Sequence, residues 1–416
     1  MSCFRIAIIG GGLAGATVAK SLLSIPHIEV NVYESAPQFS ERGLGIGLSQ
    51  LALQALEKII PDATSLLKRD AGAVEIGASR IVIGSGPKAG SLVFDVEGDV
   101  GLAMNRAPLL KTLLAQLPQD ILHASKKLVG LKQNEDGVLV TFEDGSSVNV
   151  DAVIGADGIF STVRRHVLAE TAEEYAASPA GWWECRNLIP VETAKRLIGE
   201  ESFNIDREYC WAGEGAFMMH APVEKGTKVQ CIVSAVDKDS SLNRKRPITR
   251  QVLEGAFGAS WAVNPVTKGM IEVMLNQEDP KGYSIWEHKH TPTYSNGRVC
   301  LVGDAAHALS PWQGAGGGIA VEDALVLGHL IQNVSSKEQL EPAFKAFDAV
   351  RRTRCQAIVD SSRETGLLLC GQNETVGVDA EGMSDALGPL FGHIDSLDLD
   401  THTQLALDEL RKHNGK

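Results

Sequence analysis

A glycine-rich turn near the start of this 416-residue chain constrains its fold more than any other feature. The apolar run "RIAII" leads into "GGGLAG", in which Gly10, Gly12 and Gly15 have the spacing G-x-G-x-x-G. A helical pattern follows, and a second apolar run ends at Glu34. This order predicts a β-α-β unit that binds a dinucleotide. The three glycines then serve the tight turn, the approach of a pyrophosphate and close helix packing, and Glu34 accepts from ribose hydroxyls.

A second glycine-rich segment, "GDAAHALSPWQGAGGGIAVEDA" at residues 303–324, indicates which dinucleotide is bound. FAD and NAD both use the first motif. In the second segment Asp304 ends a predicted strand, where it could accept from a ribityl hydroxyl, and Pro311 stiffens the loop. Gly314, Gly316 and Gly317 then expose the first amides of a helix, which would stabilise the negative charge of a reduced flavin ring. The segment therefore favours FAD, and a glycine-rich cap on a core helix is the alternative.

The composition limits the classes of partner. A formal net charge of −13, with Lys and Arg scattered along the sequence, opposes binding to nucleic acid. The seven Cys residues are widely spaced without a C-x-x-C pair, and the His residues lack ligand spacing, so neither disulfides nor a metal site are expected. No stretch approaches the roughly 20 apolar residues of a membrane span. We therefore expect a soluble, cytoplasmic protein with no membrane span.

The pattern along the chain predicts an α/β fold whose nucleotide-binding domain is discontinuous. Residues 175–285 hold four of the six Trp and several strand-like stretches but no phosphate turn, so they are predicted to form a second, sheet-containing domain. "GRVCLVGDAAH" then resumes the strand-then-helix pattern. The predicted FAD-binding domain consists of residues 1–174 and 286–370. A substrate-binding domain at residues 175–285 lies between these two parts, and a C-terminal helical tail covers residues 371–416.

Several motifs together resemble the flavin-dependent aromatic hydroxylases, and within them the fungal salicylate-hydroxylase-like group. They are "GGGLAG", "GADGIFSTVR" at 155–164 and the segment at 303–324, with "NRAPLL" at 105–110 and "AFDAVRRTRCQAIVDSSRETG" at 346–366 in support. The resemblance covers most of the chain outside the middle domain. It implies a Rossmann-type FAD-binding domain and a monooxygenase that uses NAD(P)H and O2 to hydroxylate a phenolic substrate through a flavin C4a-hydroperoxide. Since no second G-x-G-x-x-G occurs, NAD(P)H is expected to bind only briefly, in a groove.

The resemblance also implies cofactor roles for individual residues. Asp157, with Arg164 after it, is linked to both FAD and NAD(P)H, although the residues alone also allow Ser161 or Asp157 to cap a helix. Arg106 is linked to FAD, and Asp304 to its ribityl and pyrophosphate region.

Two stretches contain further candidates near the flavin. In "SERGLGIGLS", Arg42 and Gly47 are candidate flavin neighbours, and Arg42 could equally be a solvated loop charge. Trp312 stands where fungal relatives often have His, and it could narrow the pocket or line it with an aromatic ring.

The candidates for substrate chemistry lie in the middle domain. "GWWECRNLIP" matches a family strand and makes Arg186 a candidate clamp that would lower the pKa of a phenol, with a surface ion pair as the alternative. His220 stands where the family usually has Tyr, so it is a candidate general base, with a structural role as the alternative. Tyr209 and Trp211 are candidate pocket walls, and core packing is favoured for Trp211.

Two other functions remain compatible with the scaffold. One is a flavin oxidase or dehydrogenase that reduces FAD with its own substrate, and the other is a non-catalytic carrier protein. Asp157, Asp304, Pro311 and the glycines disfavour the carrier. The sequence leaves the substrate open between salicylate with decarboxylation, a polyketide-derived phenol that is dearomatised, and a simple ortho-hydroxylation.

Overall fold

A computed structural model describes residues 3–40, 45–203, 207–238 and 243–414 of the chain. Its strands are β1 (Phe4–Ile9), β2 (Ile28–Tyr33), β3 (Gly45–Ser49), β4 (Val74–Ile83), β5 (Leu92–Asn105), β6 (Leu122–His123), β7 (Leu128–Asn134), β8 (Gly137–Phe142), β9 (Ser147–Val150), β10 (Ala152–Gly155), β11 (Ser178–Pro190), β12 (Glu208–Gly213), β13 (Ala216–Val223), β14 (Lys228–Val236), β15 (Lys245–Pro247), β16 (Lys281–Glu287), β17 (Ser295–Asn296) and β18 (Val299–Leu301).

The helices follow the same chain order. They are α1 (Leu13–Leu23), α2 (Gln50–Ile59), α3 (Ala63–Asp70), α4 (Arg106–Leu114), α5 (Thr162–Leu168), α6 (Val191–Ile198), α7 (Arg250–Phe257), α8 (Pro265–Leu275), α9 (Asp304–His307), α10 (Gly316–Gln332), α11 (Leu340–Leu369), α12 (Ala380–Asp395) and α13 (Leu399–Asn414). None of the helices in the described ranges is both long and apolar enough to cross a membrane.

The first sheet is mostly parallel and has the strand order β17-β18-β10-β1-β2-β6. β1 pairs in parallel with both β2 and β10, and β18 pairs in parallel with β10. β1 is buried at all but one position, which suits a strand covered on both faces. The β-α-β prediction and the discontinuous nucleotide-binding domain are therefore confirmed, because a strand from residues 299–301 completes the sheet that begins at residue 4.

The second sheet has nine strands in the order β15-β16-β11-β14-β13-β12-β4-β5-β3, and a third, antiparallel sheet contains β7, β8 and β9. The stretch "GVLVTFEDGSSVNV" alternates and breaks at "EDG", which predicts a hairpin, and the antiparallel pairing of β8 with β9 confirms it. β3, β4 and β5 come from the segment 1–174 but join the strands of 175–285, since β12 pairs in parallel with β4. The nine-stranded sheet thus crosses the predicted boundary, and the division into four segments stays a prediction.

Strand alternation gives the nine-stranded sheet two distinct faces. Trp182 packs with residues at the end of α11 and in α12, whereas Trp183 packs with residues of α7 and α8. We call the first the loop-side face, defined by Trp182, Glu184, Arg186, Phe217 and Met219. We call the second the helix-side face, defined by Trp183, Tyr209, Trp211 and His220.

Candidate functional site

The first glycine turn has the close contacts that its spacing predicts. Gly10 has φ +107°, and a Cβ there would overlap the carbonyl oxygen of Ala156. A Cβ at Gly15 would overlap the carbonyl oxygen of Gly10, so helix α1 approaches strand β1 as closely as backbone allows. Gly12 is the N-cap of α1, and no side chain caps this helix. The first amides of α1 are therefore available to an anion.

The second glycine turn leads to another helix without a side-chain cap. Gly314 has φ +63° and ends the turn that Pro311 begins, and α10 follows with Ala315 as its N-cap. A Cβ at Gly317 would lie 3.3 Å from the Cδ2 atom of Leu13, at the start of α1. The N-termini of α1 and α10 are thus neighbours. Both helix dipoles therefore favour a negatively charged group between these two N-termini. Two glycine-rich turns some three hundred residues apart in sequence thus contribute to a single anion-binding site.

Glu34 lies over the first glycine turn, at the end of β2. Its carboxylate accepts hydrogen bonds from the backbone N–H groups of Gly11 and Ala36, each at 2.8 Å. A carboxylate has about four lone-pair sites, so acceptor capacity remains for a ribose hydroxyl. Arg106 is the first residue of α4, and a cleft of about 570 Å³ lies beside it, lined by residues that include Ala107 and Phe39.

Asp157 and the N-cap residue Ser161 together cap helix α5. The Oδ2 atom of Asp157 accepts from the backbone N–H groups of Thr162 at 2.7 Å and Val163 at 3.1 Å, at the start of α5. Its Oδ1 accepts from the hydroxyl of Ser161, which in turn accepts from the N–H of Arg164 at 2.7 Å. The capping interpretation from the sequence is confirmed, and the role of Asp157 toward FAD and NAD(P)H stays a prediction.

Arg164 is buried, and its donors are directed at the α9 region. Its guanidinium donates to the carbonyl oxygens of Ala305 and Ala306, at 3.1 and 2.9 Å, and to the carbonyl oxygen of Tyr175 at 3.1 Å. It also donates to the hydroxyl of Thr291 at 2.5 Å. Arg164 therefore holds the short helix that begins at Asp304.

A buried ionic group fixes α9 from its other side. Asp323 accepts from the backbone N–H of Gly303 at 2.9 Å, from His307 Nε2 at 2.6 Å and from Arg351 Nε at 2.8 Å. Burial alone would raise the pKa of Asp323, but the charges of His307 and Arg351 bring it to about 2. Asp323 is therefore ionised, and it locks the turn that carries Asp304.

His307, Asp323 and Cys355 form the one group of potential metal ligands found in the described part of the chain. Arg351 donates to Asp323 and, at 3.5 Å, to Cys355 Sγ. Because a guanidinium already neutralises this group, a second cation would meet strong repulsion there. These residues instead form a buried ionic cluster that holds the turn before α9 in place.

Arg186 lies on the loop-side face, and the loop before α10 packs on the same face. The register aligns Arg186 with Ile232 of β14, Ile232 with Met219 of β13, and Met219 with Cys210 of β12. Trp312 covers one end of this face, with its ring 5.4 Å from that of Trp182 and 5.7 Å from that of Phe217. The structure thus brings Arg186 and the Pro311–Gly317 loop to one side of the sheet.

Tyr209 and His220 lie on the helix-side face instead. They are direct neighbours across β12 and β13, and the ring of His220 stacks on Phe203 at 4.4 Å. His220 is 1% exposed, and its ring lies beside the backbone of Ser202. Burial lowers the pKa of His220 to about 4, so the ring is neutral near pH 7. The structure does not bring these two residues together with Arg186.

The remaining sequence candidates lie near the start of α10 or outside the described residues. Gly47 is in β3, whose Ile46 side chain would contact a Cβ at Gly317, and Gly316 is the first residue of α10. Arg42 lies outside the described residues. Sequence reasoning missed Glu184, which the two-residue period of β11 places beside Arg186, and it missed Asp323 as the brace of the Asp304 turn.

A pyrophosphate-containing dinucleotide fits these features, because two uncapped helix N-termini meet beside a turn that tolerates no side chain. Fold and site together define a dinucleotide-binding flavoprotein with a second, sheet-containing domain. The chain matches the family described as "FAD binding domain" over residues 4–362 and belongs to that family.

Comparisons with individual proteins narrow the class. The chain is 32% identical to 6-methylsalicylate 1-monooxygenase of Aspergillus terreus, over 97% of this chain and 91% of that protein. It is 28% identical to salicylate hydroxylase of Pseudomonas putida, over 95% and 93% of the two chains. Its structure is similar to that of a salicylate hydroxylase substrate complex, with a TM-score of 0.85 and 25% identity over 97% and 98% of the chains. The protein is an enzyme, an FAD-dependent aromatic monooxygenase of the salicylate hydroxylase type.

Proposed function

We propose that this enzyme uses NAD(P)H and O2 to hydroxylate a phenolic aromatic substrate that is held against the loop-side face. The observation that carries the proposal is the placement of Arg186 on the same side of the sheet as the loop that leads into α10. The names of the relatives support a small aromatic substrate, because two of them are named for salicylate or its 6-methyl derivative. The cytoplasmic location expected from the sequence stays a prediction.

The cofactor would be held by groups at four places. The N-termini of α1 and α10 would bind the charged parts of FAD, Glu34 would accept from a ribose hydroxyl, and Asp304 would accept from the ribityl chain. The cleft beside Arg106 and Phe39 suits the adenosine end, since Phe39 also packs over Gly11 in the glycine turn. When bound, FAD supplies the redox and oxygen-transfer chemistry.

Arg186 would act on the substrate. Its guanidinium can donate to a phenolic oxygen, which stabilises the phenolate, lowers the pKa of the phenol and makes the ring more electron-rich. Glu184 already lies on one side of the guanidinium, with Nη2 of Arg186 donating to Oε2 of Glu184 at 2.9 Å. The other N–H groups remain for the substrate.

Aromatic side chains would complete the chamber. Trp312, Trp182 and Phe217 form a contiguous aromatic wall at one end of the loop-side face. An apolar wall of this kind excludes water and positions a flat ring. The chain's own contribution is therefore to bind and orient the phenol, to favour its ionised form and to keep the site dry.

The experiment is a screen of phenolic acids, esters and aldehydes with the purified FAD-loaded enzyme. We expect some phenols to accelerate NAD(P)H oxidation, with product mass showing one oxygen gained or carbon dioxide lost. An enzyme whose flavin is reduced anaerobically by the phenol alone, without NAD(P)H, would be an oxidase or dehydrogenase and would contradict the proposal. In the same assay, Arg186→Ala should lose product formation. Arg196→Ala, which removes an exposed Arg of α6, is the matched control and should leave product formation unchanged.

A further inference from the structure

We infer that Glu184 selects uncharged phenols over phenolic carboxylates, by occupying the side of Arg186 that an anionic group would use. This inference rests on the proposed function and names the substrate class more narrowly. It starts from the positions of the two residues. They are two apart on β11, so their side chains project from the same face of the sheet.

The strip of sheet around this pair is bounded at both ends. At one end Trp312 packs on Trp182 and Phe217. At the other end Gln230, two residues from the position opposite Arg186, accepts a hydrogen bond from the N–H of Gly45 in β3 at 2.5 Å. The pair therefore lies between the loop that precedes α10 and the strand that packs on α10.

The two side chains form a close ion pair. Nη2 of Arg186 donates to Oε2 of Glu184 at 2.9 Å, and Nε of Arg186 lies 2.8 Å from Oε1. Their side chains are only 18% and 15% exposed. Only the Nη2 contact is a hydrogen bond, and the Nε contact is ionic. A carboxylate of the protein therefore already lies at the edge of the guanidinium where a substrate carboxylate would bind.

Among the residues that the structure describes, the neighbouring positions on this face add no unpaired positive charge within the strip. Arg363, near the Trp182 ring, is paired with Glu287. Ile232, Ser234, Met219 and Phe217 are uncharged and occupy the adjoining rows of β13 and β14. On the other flank, Lys281 of β16 pairs with Asp279 at 2.8 Å. Lys245 is exposed on the edge strand β15, where its ammonium lies 5.9 Å from the centre of the Tyr283 ring.

The charge balance decides the selectivity. A carboxylate that leaves water for a half-buried site needs a cation with unused charge, and a like charge beside it is costly. A substrate carboxylate at Arg186 would displace Glu184 or lie against it. A phenol with an ester, aldehyde or alkyl group in place of the carboxylate needs only a donor to its hydroxyl oxygen, which the free N–H groups of Arg186 supply.

The test compares 2-hydroxy-6-methylbenzoate with its methyl ester, which keep the same ring and differ in charge. With the FAD-loaded wild-type enzyme, we expect kcat/KM for NAD(P)H oxidation to favour the ester by about tenfold or more. Glu184→Gln keeps the size of the side chain and removes its charge. We expect it to shift the ratio toward the acid by about tenfold, and Glu192→Gln, an exposed Glu of α6, to leave the ratio unchanged.

A second measurement does not depend on turnover. Each compound is titrated into the oxidised holoenzyme without NAD(P)H, and the flavin absorbance change gives the Kd. The same tenfold preferences are expected in Kd. A wild-type enzyme that prefers the acid in both assays overturns the inference, as does an unchanged ratio in Glu184→Gln that still binds FAD. If instead no phenol of either kind is bound or turned over by the wild type, the proposed function itself has failed, and this inference fails with it.

Discussion

The two faces of the nine-stranded sheet differ in what covers them, although they are built by alternate residues of the same strands. On the helix-side face, residues of α7 and α8 pack directly on Trp183, Trp211 and other side chains to form a closed core. On the loop-side face, the end of α11 and α12 cover only part of the surface, and Trp312 marks their border. Beyond that border lie Glu184 and Arg186. A residue's neighbour in sequence can therefore belong to a different part of the enzyme.

This contrast separates stability from chemistry. Changes on the helix-side face should alter the free energy of unfolding and leave substrate selection intact. Changes on the loop-side face should alter turnover while FAD stays bound. The following predictions test that separation. The variants come first, from the largest expected effect to the smallest, and a pH titration follows.

Trp261→Ala tests the closed core. Trp261 is fully buried against Phe257, and its Nε1 donates to the carbonyl oxygen of Glu214 at 2.9 Å. We expect the free energy of unfolding to fall by about 3–5 kcal/mol because a large cavity is left. Urea denaturation followed by circular dichroism measures this. Trp261→Phe should lose clearly less, and equal losses for both variants would show that packing is not the cause.

Arg186→Ala tests the chemistry of the loop-side face. We expect product formation to fall about 100-fold or more, since a charge-assisted bond to the phenolate is lost. The flavin absorbance should show full FAD occupancy, because Arg186 lies on the nine-stranded sheet and not in either glycine-rich turn. Product is measured by mass spectrometry at saturating NAD(P)H. Turnover like that of the wild type would remove Arg186 from the site.

Trp312→Ala tests the aromatic wall at the border. The Trp312 indole packs on Trp182 and Phe217, and its removal is expected to let water reach this end of the loop-side face. We expect the hydrogen peroxide released per NAD(P)H consumed to rise severalfold, with a smaller change in the rate of NAD(P)H oxidation. Trp312→Phe, which keeps an apolar ring, should restore much of the coupling. An unchanged peroxide yield in the Ala variant would mean that the wall does not protect the reaction.

His220→Phe compares the helix-side face directly with Arg186. Because His220 is buried on the far side of β13 from Met219, we expect turnover to change far less than in Arg186→Ala, with the peroxide yield near that of the wild type. An oxygen electrode and a peroxide assay give both quantities. A large rise in peroxide would instead support the role of general base that the sequence suggested.

The pH dependence of stability is a second test of His220 on the helix-side face. Burial lowers the pKa of His220 to about 4, whereas an unfolded His titrates near 6.5. As the pH falls from 7 toward 4, the unfolded chain takes up a proton at this position before the folded chain does, so the wild type loses stability. We expect His220→Phe to lose less over this range in parallel urea titrations. Identical pH profiles would mean that His220 is not desolvated as the structure has it.

The separation of the two faces was only partly predictable. The pattern "GWWECR" predicts a strand, and its two-residue period places Glu184 and Arg186 on the same face. The sequence does not say which face of this strand packs against the Pro311–Gly317 loop. The resemblance makes His220 a candidate general base, whereas Tyr209 is a candidate pocket wall. The pairing of β12 with β13 places them on the same face as each other, and the register of β13 with β14 places that face away from Trp312. The cofactor positions were more predictable, because a glycine turn is a local feature.

The sequence by itself determined the β-α-β unit, both glycine turns, the hairpin before β10 and the return of residues 299–301 to the first sheet. Each of these depends on local periodicity and on residues that only a tight turn requires. The tertiary structure alone decided that α1 and α10 begin side by side, that Asp323 and Arg351 brace Asp304, and which face of the second sheet carries Arg186. These depend on strand register and on contacts between distant segments, and a shift of register by one residue would exchange the two faces.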